Sequence, residues 1–209
     1  MEQGAVVQDG AVHIAEKLGI DDFFEMASLE RRFYGDEFIT PPEEAWEWYR
    51  AFPGSVVAAK DLQTGRVAGF VNLFPVRREV GDALLAGTFN DAALTVADIA
   101  GAGVPATLFF CCAAMDEGYR GNGLLRRLVW TALEPYRELA GVVDLVVADT
   151  VTGDGARLME RFGFGLVGDS DHGSRVYAQP FPEFVDRVDA AMRSFCVGPA
   201  PVGRTRCSL

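Results

Sequence analysis

Histidine is almost absent from this chain: its 209 residues include two, His13 and His172. Cysteine is scarce as well. Cys111 and Cys112 are adjacent in an apolar run, Cys196 closes a predicted helix and Cys207 lies in a polar stretch. That set gives neither a disulfide framework nor zinc-type ligand spacing, so no metal is expected at the site. No apolar run approaches the roughly 18–20 residues that a membrane helix needs. The opening MEQGAVVQDG has neither the basic nor the apolar region of a signal peptide, so the expected location is the cytoplasm. Basic residues are in deficit too, with 19 Lys and Arg against 30 Asp and Glu and a formal net charge of −11. Such a field disfavours nucleic acid as a partner and favours a cationic small molecule such as an amine.

What is present is enough apolar sequence, 49% of residues, for one domain with a full core. A strand is predicted over 12–17. A helix then starts at Asp21 and Asp22, carries Phe23, Met26 and Leu29 on one stripe, and is broken at Gly35. Thr40 reads as the N-cap of a second helix bearing Trp46, Trp48 and Tyr49. Strands over 55–60 and 66–76 flank a short loop ending in Gly65, as in an antiparallel hairpin. A helix follows near 80–86. The continuous apolar run 107–115 fits a central strand covered on both faces. Beyond it come a helix over 124–139, a strand over 142–148, and a helix over 156–162 closed by Gly163. Strands over 164–168 and 175–178 precede a last helix over 182–195. Early strands joined by hairpins and later ones joined by helices imply an α/β (α+β) domain, a mixed sheet with helices on both faces. Residues 1–180 are expected to form that domain, 181–196 a helix packed on it, and 197–209 a mobile tail.

The chemistry is concentrated in residues 115–128, where a buried strand runs through Asp116-Glu117-Gly118-Tyr119-Arg120-Gly121-Asn122-Gly123 into a helix beginning Leu124-Leu125. The first turn of a helix leaves amides without intrahelical partners, and the macrodipole adds positive charge there. Gly121 and Gly123 let a bulky anion approach that backbone, and Arg120 adds a fixed charge. A dinucleotide fingerprint would need a third glycine at Arg126, and a Walker loop would need Gly-Lys-Ser/Thr; neither is present.

The stretch Arg120-x-x-Gly123-x-Leu125 resembles the cofactor motif of the GNAT acyltransferase superfamily, with Leu125 in place of a small residue. Residues 155–164, ending Gly163-Phe164, resemble that superfamily's second motif helix. The resemblance implies a sheet whose parallel strands 107–115 and 142–148 splay apart, and acetyl-CoA or another acyl-CoA as co-substrate. Pantetheine would pair with the backbone at Ala113 and Met115, and pyrophosphate would sit on the amides of Gly121, Asn122, Gly123, Leu124 and Leu125. An N–H at a strand bulge, assigned to Met115, would serve as oxyanion donor. The resemblance also puts Met159 where many relatives carry a Tyr acid, so that role is either vacant or filled elsewhere. His172, Asp149 and Glu117 are the candidate acids and bases. Cys111 and Cys112 should alternate faces, with at most one thiol in the cleft and a packing role for both. Tyr34, Asp36 and Glu37 are the candidate contacts to a small amine acceptor. An aminoacyl-tRNA or carrier-protein donor and a non-catalytic acyl-CoA-binding module stand as alternatives, and a homodimer is left open.

Overall fold

A computed structural model describes residues 12–101, 103–138 and 141–197. The predicted tail and Cys207 therefore lie outside the described residues from position 198 onward. The element order is the predicted one: β1 (Val12–Ile14), α1 (Ile20–Glu30), α2 (Pro42–Ala51), β2 (Val56–Asp61), β3 (Val67–Arg77), α3 (Arg78–Leu85), β4 (Ala106–Met115), α4 (Leu124–Arg137), β5 (Val143–Thr150), α5 (Gly153–Phe162), β6 (Gly165–Asp169), β7 (Arg175–Pro180) and α6 (Phe181–Val197).

The strands form a seven-stranded sheet in the order β1-β2-β3-β4-β5-β7-β6. Every pairing is antiparallel except β4 with β5. Leu124, Leu128, Leu133 and Tyr136 of α4, Met159 and Phe162 of α5, and Phe181, Phe184 and Val188 of α6 bury one face. Phe23, Met26 and Leu29 of α1, Trp48 of α2, and Val80 and Leu84 of α3 bury the other. Strands covered on both faces read as apolar runs, which is why β4 is legible in the sequence.

Local chemistry sets the boundaries. Asp22 accepts from the Gly19 amide at 2.9 Å and pairs with Lys60 at 2.5 Å, tying the start of α1 to β2. The N-cap of α2 is Pro41 with no side-chain cap bond, so Thr40 does not play the predicted part. Helix α5 starts three residues before its prediction because the Thr152 hydroxyl accepts from the Gly155 amide at 3.0 Å. That cap outweighs the poor helix propensity of Gly153 and Gly155.

Two irregularities open the centre of the sheet. The parallel ladder between β4 and β5 stops at Phe110↔Ala148, although β4 continues to Met115 and β5 to Thr150. On the other side of β4, Asn72 pairs with Cys112 and Leu73 with Phe110, so Cys111 is an extra residue, a β-bulge. Met115, the residue expected at a bulge, sits in regular register with Gly69.

Candidate active site

Where β4 and β5 part, a cleft of about 1080 Å³, open mouth included, lies between the strand ends and α1, α2 and α5. Asp116 donates its amide to the Ala68 carbonyl, so 112, 114 and 116 face β3 and the polar groups of Ala113 and Met115 face away from it. The Ala113 carbonyl accepts from the Tyr34 hydroxyl at 3.4 Å, and that of Met115 accepts from Arg120 Nε at 3.1 Å. The bulge breaks the alternation of β4. Both Cys111 and Cys112 consequently line the cleft, where strict alternation would admit one. Burial pushes both thiols well above their ordinary pKa, so neither is poised as a nucleophile.

The glycine loop lies beyond the end of β4. Gly121 (φ 78°) and Gly123 (φ 87°) take left-handed conformations, and a Cβ on Gly121 would meet open space. The first turn of α4 presents its amides there, except that of Leu124, which Asn122 Oδ1 takes at 3.0 Å. Arg120 is exposed, but its charge is pinned, with the guanidinium carbon 4.7 Å from the Phe33 ring centre. Leu125 packs against the core and leaves the loop to its backbone. The segment before the loop is held by an Arg32–Asp116 ion pair at 2.6 Å and by the Tyr119 hydroxyl donating to Asp61 at 2.6 Å. A Cβ on Gly123 would stand 2.5 Å from the Phe195 ring, so α6 closes over the loop at this point.

At the other end of the cleft stands His172, in the β6–β7 turn. Its Nε2 is 2.8 Å from Asp149 Oδ2 and 3.1 Å from Ser174 Oγ. A carboxylate partner places the ring proton on Nε2 and leaves Nδ1 as the basic nitrogen. Ser174 and Asp149 share one ring nitrogen, so this is no Ser–His–Asp nucleophile, which needs its two partners on opposite nitrogens. The turn is positioned by the loop after α3: Asp171 donates to the Gly87 carbonyl at 2.9 Å, and the same loop delivers Asp91 to the cleft.

The structure brings together Tyr34, Ala113, Asp149, Met159 and His172, all of which line the cleft. Glu117 is exposed on a short 3-10 helix outside it. Asp36 and Glu37 are exposed too, Asp36 pairing with Arg31 at 3.3 Å. Among the described residues, the carboxylates of the cleft besides Asp149 are Glu30 and Asp91, which the sequence reading missed. Burial raises Glu30 to about 7, against a smaller lowering by its hydrogen bond from Cys112 at 3.1 Å. Burial, then Asp149, pushes Asp91 up as well. The available signal for Glu30 was its place at the end of an apolar helix stripe; nothing in the pattern marks Asp91.

The sequence matches the Acetyltransferase (GNAT) family over residues 23–164. The chain belongs to that family. Curated proteins give no match. Among solved structures it is similar to Ard1 from Thermoplasma volcanium (16% identity over 81% of this chain and 97% of that one, TM-score 0.55). It is also similar to the GNAT family N-acetyltransferase YhbS from Escherichia coli, solved in complex with CoA (22%, 90% and 87%, 0.51). A third is the polyamine N-acetyltransferase of Drosophila melanogaster, which catalyses formation of N-acetylagmatine (18%, 81% and 100%, 0.51). These likenesses show a shared fold.

Proposed function

We propose that the protein transfers an acetyl or other acyl group from an acyl-CoA to the amine of a small cationic molecule by direct attack. The observation that carries this reading is the parallel pair that stops at Phe110↔Ala148 and leaves β4 running on into the glycine loop at the start of α4. An extended thioester chain along Ala113–Met115 would bring its pyrophosphate to the amides of Gly121, Asn122, Gly123 and Leu125. CoA bound to YhbS, and amine acetylation by the polyamine enzyme, support the same reading by likeness of fold and family.

In this reading His172 Nδ1 takes the proton of the attacking amine, and Asp149 holds the ring and the imidazolium that results. The outward-facing amides of Ala113 and Met115 are the donors for the carbonyl oxygen. Tyr34 is the protic group on the β4 side. The Cys112 sulfur, burial and Glu30 push its hydroxyl pKa well up, so it keeps its proton. Held neutral, it can offer a hydrogen bond, though not its proton, to a departing thiolate, which the Met159 thioether cannot do. Holding the two reactants in one cleft supplies about 7–11 kcal/mol of the barrier without any strong acid. Cys111 and Cys112 are free thiols, as suits a reducing compartment, and we place the activity in the cytoplasm.

Gly121 offers the cleanest test of the donor site, because Gly123 substitutions collide with Phe195. Gly121→Ala and Gly121→Asp share the cost of a left-handed backbone, and the second adds a negative charge at the phosphate site. Calorimetry with CoA should show Asp weaker than Ala by about 10-fold or more. Equal affinities would overturn the loop assignment.

A further inference from the structure

The cleft holds Glu30, Asp91 and Asp149, and among the described residues no Lys or Arg lines it. All three carboxylates share the one cleft. Asp91 feels Asp149 and His172, while Glu30 feels Asp91 and its exposed neighbour Arg31, whose ion pair is with Asp36. They are not gathered round a point, and no group of three such ligands among the described residues is arranged to hold a metal ion. Two acceptors in the same cleft are buried with no hydrogen-bond partner, Asp149 Oδ1 and Asn72 Oδ1; the Asp149 side chain is 10% exposed. A buried acceptor left open costs free energy, so both oxygens await a donor. Much of the remaining wall is aromatic and aliphatic, with Phe23, Trp48 and Phe70 in it. One ammonium, on the amine that reacts at Asp149, leaves Glu30 and Asp91 without a cationic partner. A methylene chain with a cation at each end supplies one, with an apolar middle and hydrogen-bond donors at both ends.

We infer that the acceptor is an extended dication, an α,ω-diamine or guanidinoalkyl amine, whose reacting nitrogen lies at Asp149 and His172 and whose far cation is held by Glu30 and Asp91. This rests on the acyl-transfer reading and narrows its acceptor. Asp36 and Glu37, on the surface, have no part in it. Glu30, at the end of α1, and Asp91, in the loop after α3, are the pair that meets the far cation.

The test uses the whole protein with acetyl-CoA and follows thiol release with putrescine, agmatine and n-pentylamine, in which a methyl replaces the far ammonium of putrescine. The dications should exceed n-pentylamine in kcat/KM by about 30-fold or more, as expected for one buried charge pair. In Glu30→Gln and in Asp91→Asn, both neutral isosteres, that ratio should fall by roughly ten-fold. Equal rates for putrescine and n-pentylamine would overturn the inference, and so would a preference that neither variant reduces. If no amine is acetylated although CoA binds, the acyl-transfer reading fails. Calorimetric binding of putrescine against n-pentylamine to the CoA complex then decides the present inference separately: tighter putrescine binding that Glu30→Gln abolishes upholds it, and equal binding sinks it.

Discussion

Glu30 is the residue whose chemistry most exceeds its appearance. It sits at the last position of α1, accepts from the Cys112 thiol, and burial lifts its carboxyl from 4.5 to about 7. The folded protein therefore holds a proton on Glu30 that the unfolded chain releases between about pH 4.5 and 7. Stability from this group is intact below that window, falls through it, and stays lost above it. At about 1.4 kcal/mol per pKa unit the loss amounts to roughly 3 kcal/mol. Glu30→Gln, which carries no charge at any pH, should raise the midpoint of urea unfolding at pH 8 and leave it nearly unchanged at pH 4.5. A variant equally stable or weaker at pH 8 would contradict the burial of an unpaired carboxylate. A group that destabilises the fold and lines the cleft is what a binding site retains and a core discards.

At the scale of elements, β4 parts from β5 beyond Phe110 while a bulge keeps it paired with β3, and helix α4 supports the result. The β2–β3 ladder ends at Val56↔Asn72, and the carbonyl of the next residue, Leu73, accepts at 2.5 Å from the Tyr136 hydroxyl. Tyr136 is fully buried and stacks on Phe52 with ring centres 5.6 Å apart. Tyr136→Phe keeps the ring and abandons a buried carbonyl, so it should cost about 1–3 kcal/mol in chemical denaturation with the m-value unchanged. A cost near zero would mean that another donor reaches Leu73. The same helix presents its first-turn amides at the glycine loop, so one element is a brace at one end and, in the proposed reading, an anion site at the other. Its apolar spacing and the glycines before it made the loop end legible in the sequence, whereas nothing there marked Tyr136 as the brace. The bulge at Cys111 was not legible, because an extra residue in one strand is defined only by the partner strand that fails to match it.

For the whole molecule, the site depends on two loops far apart in sequence. Gly87 has φ 71°, and a Cβ there would stand 2.9 Å from Ser170 Cα. Close approach of the loop after α3 to the β6–β7 turn sets Asp91 beside His172. Gly87→Ala should lower kcat/KM for the amine by about ten-fold or more while CoA affinity holds, since a misplacement near 1 Å can cost about 10²-fold. Parallel loss of CoA binding would show that the damage spreads through the fold. The net charge of −11 belongs to this scale as well. It marked a cationic acceptor as favoured, yet the exposed Asp36 and Glu37 chosen to receive it are solvated, and the carboxylates that enter the cleft come from α1, the loop after α3 and the end of β5.

The sequence by itself determined the element order and the glycine loop between β4 and α4, because periodicity, caps and left-handed glycines act over a few neighbouring residues. It also marked Tyr34, Asp149 and His172 as residues to follow. Only the tertiary structure decided that Glu30 and Asp91 join them, that Glu117 does not, and that both adjacent cysteines face one cleft. Those outcomes depend on where β4 and β5 part and on which loops cross above them, contacts between segments that local pattern does not encode.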